Sequence, residues 1–130
     1  MAQYKVAVGD NASLRTYQAS ADLSAKAGLP VTDSSGKIAV NTSATTASIG
    51  ILVEASGTGT DAACTVCIAG AVQAVADGTI TEMADLKADT TGVADTTTKG
   101  NYWVGQALED AADGDLVWIT VNPGRVGTYA

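Results

Sequence analysis

Apolar and polar positions alternate, or nearly so, through residues 49–54 and 104–109, and short β-branched stretches bounded by glycine or proline run through residues 64–68 and 116–121. A period of two is that of a strand with one face buried, and no 3.6-residue period is sustained along the chain. The pattern predicts strands at all four places, with others over residues 37–40, 71–75 and 101–103, the last continuing into Val104. Turn-forming clusters punctuate them at Ser56-Gly-Thr-Gly-Thr-Asp61, Asp77-Gly78 and Asp113-Gly114-Asp115. Strands and turns at this spacing predict an all-β domain, a small barrel or sandwich. Only residues 20–27 and 80–86 offer short helices.

Comparison of the chain with itself uncovers a duplication. Leu29-Pro-Val-Thr-Asp33-Ser-Ser-Gly36, Ile49-Gly50-Ile-Leu-Val-Glu54-Ala55 and Val66-Cys-Ile68-Ala-Gly70-Ala-Val72 recur as Leu86-Lys-Ala-Asp89-Thr-Thr-Gly92, Val104-Gly105-Gln-Ala-Leu-Glu109-Asp-Ala111 and Ile119-Thr-Val121-Asn-Pro-Gly124-Arg-Val126. The matched glycines are 56, 55 and 54 residues apart, so the repeat is about 55 residues, with units over residues 29–72 and 86–126. Asp33 to Gly36 and Asp89 to Gly92 read as hairpin corners, an acceptor opening and a glycine closing a four-residue turn. Gly50, Gly70, Gly105 and Gly124 read as bulges or close backbone approaches at barrel corners. Matched turns and inward faces predict matched hairpins in the two units. Placing Val66 on Ile119 turns Val117, Ile119 and Val121 inward and Trp118 outward, where a large aromatic lies under a loop or in a subunit contact.

Residues 1–20 stand outside both units. Tyr4, Val6 and Val8 alternate with Lys5 and Ala7, a strand-competent segment whose partner must be a sheet edge of the domain or of another chain. The sequence therefore divides into an extended N-terminal arm, residues 1–20, with Tyr4, Lys5, Val6, Ala7 and Val8 as candidate partner-binding residues, and a β-domain over residues 21–130.

Composition narrows the chemistry. With two Trp, four Tyr and no Phe among 130 residues, the core must be built from small and β-branched side chains, which suits a sheet. The formal charge is −7 and the cations are scattered singly, whereas a nucleic-acid surface needs them clustered. No apolar run approaches a bilayer span. The chain has no His, which excludes Ser-His-Asp and Cys-His catalysis and every His-ligated metal. Cys64 and Cys67 point to opposite faces of a strand and read as free structural thiols of a reducing compartment. Glu54 and Glu109 hold equivalent repeat positions, the pair a carboxylate hydrolase would need as a weaker alternative, but the stronger reading is that each ends a strand before a turn and faces solvent. Residues 77–82 lack the ligand order of a calcium loop. The expectation is a non-enzymatic protein with no cofactor or metal, binding neither nucleic acid nor membrane; a carbohydrate-binding or adhesive β-module is the alternative.

The Asp-Ser-Ser-Gly turn, the Ile-Gly-x-Leu-x-Glu-Ala strand, the glycine-bounded Val-x-Ile-x-Gly-x-Val strand and the closing Val-Gly-Gln-Ala-Leu-Glu-Asp-Ala-x-x-Gly-Asp-x-Val-Trp-Ile-x-Val resemble the short capsid decoration (cement) proteins of tailed phages, over roughly residues 21–126. The resemblance implies a small β-barrel or β-tulip domain with an extended N-terminal arm. It also implies a homotrimer on the outer capsid surface of the virion, made in the host cytoplasm, with the major capsid protein as partner.

Overall fold

The computed structural model describes residues 5–98 and 100–121. Among them there is no helix. The nine strands are β1 (Ser13–Gln18), β2 (Pro30–Ser34), β3 (Lys37–Val40), β4 (Gly50–Ala55), β5 (Ala63–Val75), β6 (Asp85–Asp89), β7 (Gly92–Asp95), β8 (Gly105–Ala107) and β9 (Leu116–Val121). They form one antiparallel sheet in the order β3-β2-β4-β5-β9-β8-β6-β7, with β1 paired to β5 beside that path. The sheet does not close into a barrel ladder. Each half curls instead until a single parallel bridge joins its ends, Ala19 to Ile38 in the first and Ala76 to Val93 in the second.

The duplication is present in the pairing itself. β2 meets β4 at Val31 and Gly50, and β6 meets β8 at Leu86 and Gly105, each pair 55 residues on from its counterpart. It also reaches further back than residue 29. β1 lies on the first part of β5 as the second part of β5 lies on β9: Thr16 faces Thr65, and Gln73 faces Trp118. The bonds around these strands match. Ala19 N–H donates to Ala62 O (2.9 Å) and Ala76 N–H to Asp115 O (2.8 Å), while Ser20 N–H donates to Ile38 O and Asp77 N–H to Val93 O, both at 2.8 Å. The repeat units are thus residues 13–69 and 70–121, and the two strands expected over residues 64–68 and 71–75 are one 13-residue strand that ends the first unit and begins the second.

Three further expectations need correction. Residues 20–27 and 80–84 are turns and loop in place of helices, bounded by left-handed backbone at Gly28 (φ 89°) and Gly78 (φ 98°) and broken at Met83 (φ 71°), while residues 85–86 open β6. They bury Leu23 with Ala27 in the first half, and Ile80 with Leu86 in the second. Residues 101–104 are not a strand, and the strand expected over 104–109 shrinks to β8. The hairpin corners align one residue away from the glycine match: Ser34 pairs with Lys37 around Ser35 and Gly36, while Asp89 pairs with Gly92 around Thr90 and Thr91. Gly36 (φ 86°) serves the turn. Gly92 is a strand residue whose Cβ would run into the carbonyl oxygen of Val75.

The N-terminal segment belongs to the domain. Val6 is 2% exposed and donates to Val53 O (3.1 Å). Gly9 N–H donates to Ala71 O (2.8 Å), after which the chain crosses β5 at Gly70, where a Cβ would come within 2.8 Å of Ala12 Cα. A glycine at φ 93° is what that crossing requires. The division at residue 20 therefore gives way to one domain that includes residues 5–19.

Two apolar clusters hold the fold. Ala19, Leu23, Val31, Ile38, Leu52, Cys64 and Val66 fill the first half. The larger cluster, with Leu86, Val93, Val104, Val117 and Ile119 from the second half, also takes Val6, Ile51, Val53 and Cys67. β4 thus sends Leu52 into one cluster and Ile51 and Val53 into the other. A strand covered on both faces reads as an unbroken apolar run, which is why Ile51-Leu-Val53 only nearly alternates. Each buried Val, Leu or Ile among them contributes about 1.5–3 kcal/mol by leaving water.

Candidate docking surfaces

The candidate arm residues are largely engaged inside the molecule. Lys5 is bridged to Glu54 and Val8 to Val72. Gln73 grips Ala7 twice, its N–H donating to Ala7 O (2.9 Å) and its Oε1 accepting from Ala7 N–H (3.0 Å). These groups cannot pair with another chain while the domain is folded, so the picture of a free partner-binding arm is corrected over Lys5, Val6, Ala7 and Val8. Tyr4, like Gly124, lies outside the described residues. The exposed strand that sequence reasoning missed is β1, where Leu14 is 45% exposed and only Tyr17 is partly covered. Its signal was the polar-rich alternation Leu14-Arg-Thr-Tyr-Gln18, together with an alanine following it as Ala76 follows Val75.

Trp118 faces outward and is half-buried, between Val117 and Ile119, both fully buried. Its N–H donates to Glu109 Oε2 (3.0 Å) and its carbonyl accepts from Leu108 N–H (2.9 Å). This places Trp118 beside Leu108, a leucine 40% exposed. Glu109 is thus a cap on the β9 backbone, while its counterpart Glu54 sits within β4 opposite Thr65. The aromatics Tyr17, Tyr102, Trp103 and Trp118 are all half-buried and lie on β1, a loop and β9, not along one strand.

The glycines expected at corners fall into two kinds. Gly50 and Gly105 are an equivalent pair whose Cβ atoms would fall on the carbonyl oxygens of Cys67 and Thr120. Gly36 has open space around it. Asp33 faces Ile38 within the first hairpin, and Asp89 Oδ1 accepts from Thr90 N–H (2.9 Å).

The acidic side chains around the second half fasten loops. Asp113 Oδ1 accepts from Gly78 N–H and Asp110 Oδ1 from Glu82 N–H, both at 2.7 Å, while Asp77 Oδ2 accepts from Thr91 N–H at 3.1 Å. Each satisfies a backbone donor that would otherwise lack a partner. Among the described residues no three His, Cys, Asp or Glu side chains are placed to hold a metal ion.

Cys64 and Cys67 point into different clusters, as their spacing predicts. Burial pushes both thiols above the ordinary range, a hydrogen bond to Ala69 O partly opposing it at Cys67. A raised pKa leaves little thiolate at neutral pH. Alkylation of the native protein at pH 8 is therefore expected to be at least about tenfold slower than in urea, where both sulfurs are free. Equal labelling rates, followed by mass spectrometry, would contradict this burial.

No family model matches the sequence, and no curated protein matches it. Among solved structures the chain is similar to the N base of head fiber gp8.5 in bacteriophage phi29, with a TM-score of 0.62 at 18% identity, over 86% of this chain and 95% of that one. The likeness covers nearly the whole of both and shows a shared all-β fold.

Proposed function

We propose that this chain is a structural protein of a phage head, attached to the outer capsid surface of the virion as a decoration (cement) subunit. In this reading it binds the major capsid protein as a homotrimer, carries out no catalysis and requires no cofactor. One observation carries the reading: the N base of the phi29 head fiber has this fold over 95% of its length. The resemblance of the repeated strand motifs to phage decoration proteins points the same way, from the sequence alone. The engagement of residues 5–9 within the domain moves the contact surface to outward side chains, with Trp118 and Leu108 as the candidate subunit contact.

Mass spectrometry of purified virions of the source phage, paired with binding of the purified protein to heads lacking it, tests the role. Its absence from virions together with no binding to heads would defeat the proposal. The trimer has its own test. Trp118→Ala is expected to weaken assembly by about 2 kcal/mol or more, roughly thirtyfold in dissociation constant, while the protein still melts cooperatively. Unchanged sedimentation at low concentration would remove Trp118 from the contact.

A further inference from the structure

The chain makes one backbone turn twice and finishes it differently each time. Gly28 N–H donates to Leu52 O (2.8 Å) and Leu52 N–H to Leu29 O (3.0 Å); 55 residues on, Met83 N–H donates to Ala107 O (2.9 Å) and Ala107 N–H to Ala84 O (3.0 Å). Both turn residues have left-handed backbone, φ 89° at Gly28 and 71° at Met83. Glycine takes that conformation freely, whereas methionine is strained by it. The Met83 side chain returns nothing to the core, being 61% exposed, more than any other large hydrophobic residue described. Its backbone is clamped on the other side too, where its carbonyl accepts from Gln106 Nε2 (2.9 Å). A strained residue with a fixed backbone and an exposed apolar side chain is presented for contact, not packed. Leu108, also exposed, follows Ala107, so Met83 extends the Trp118 face, and the exposed Glu82, Glu109 and Asp110 rim it.

Where the second half has this knob, the first has a hollow. A Cβ on Gly28 would come within 2.9 Å of Val75 Cγ2 and 3.3 Å of Val6 Cγ1, which leaves no room for a side chain. Ala27 and Leu29, on either side of it, line a hollow of about 390 Å³ with Lys26, Val40, Val75 and Thr90. Lys26 is the one charged residue of this lining among the described residues. Knob and hollow lie at opposite ends of β6, Met83 before it and Thr90 after it, roughly 20 Å apart. A copy cannot fill its own hollow, but a second copy can.

We propose that Met83 of one copy seats in the hollow beside Gly28 of the next, with Glu82 against Lys26. The contact rests on the homotrimer reading above and supplies what a threefold ring needs, two different patches that meet head to tail. The acidic rim meeting the single cation of the hollow sets the direction of docking.

Sedimentation equilibrium of the full chain tests this. Met83→Gly is expected to weaken self-association at least about tenfold. It should melt no lower than the parent at concentrations where both are monomeric, because glycine already serves the equivalent turn. Lys26→Glu and Glu82→Lys should each weaken association about threefold or more, and the double reversal should restore it. A parent that stays monomeric at every concentration defeats the homotrimer and this contact together. A parent that associates with a dissociation constant unmoved by Met83→Gly overturns the contact alone, and so do charge reversals whose losses add instead of cancelling.

Discussion

A variant beginning at Ala21 is expected to lose its cooperative melting transition, not merely a binding contact. The deletion removes β1, whose register covers β5 from Ala63 to Ala69, and takes Ala19 (0% exposed) and Val6 (2% exposed) from the two clusters. Cys64 and Val66, both within 1% of full burial, would face solvent along a new edge. Losing a central strand's neighbour, two plugs and the crossing at Gly70 amounts to a loss on the order of the whole ~5–15 kcal/mol by which a domain of this size is stable. Circular dichroism on heating checks it. A sharp transition in the shortened protein would mean that residues 5–19 only decorate a domain that stands without them. Failure of such a variant to bind heads would follow from unfolding and say nothing of an arm.

Gly105→Ala and Gly50→Ala are expected to be among the most damaging methyl additions in the described chain. Each new Cβ would sit on a backbone carbonyl, Thr120 O or Cys67 O, in a pairing where that carbonyl is held by the ladder. Relief requires parting β8 from β9, or β4 from β5, so each substitution should cost about 3–5 kcal/mol in urea unfolding. Gly36→Ala is the control. Its Cβ would meet nothing within 4 Å, and only the left-handed backbone at φ 86° opposes it, at about 1–2 kcal/mol. Similar losses at Gly50 and Gly105 would also show that the halves use these glycines alike. A loss near 1 kcal/mol at either would remove the close approach there.

The strand content, the repeat, the outward phase of Trp118 and the opposed cysteines were all legible, because each rests on a local period or on glycines that stand out in a sequence. What was hidden shares geometry without sharing residues. Ser13–Gln18 and Gly70–Val75 occupy equivalent places, yet no glycine or turn motif marks the first, so the first unit seemed to begin at Leu29. Leu23 and Ile80, or Asp61 (φ 72°) and Gly114 (φ 85°), are equivalent by position and unlike by type. Gly36 and Gly92 show the converse, similar to the eye and different in work. Segments 20–27 and 80–86 have helix-compatible composition, but the tertiary contacts of Leu23, Ala27, Ile80 and Leu86 override it. Of the candidate surface, Trp118 could be placed from alternation alone. The engagement of residues 5–9 depends on Gln73 and Val53, which lie far along the chain and leave no local mark.

The shared strand β5 has a consequence for how the molecule can be taken apart. A tandem array joined by linkers can be cut between units, and each unit can fold, evolve or be lost separately. Here the border at Gly70 runs through the middle of a continuous strand, so a cut there would leave the first half with a frayed last strand and the second without the strand that opens it. The halves are interlocked at their seam, one strand counted twice. The smallest heritable piece of this fold is thus the pair, and insertions can be accommodated only in the turns that lie away from that seam.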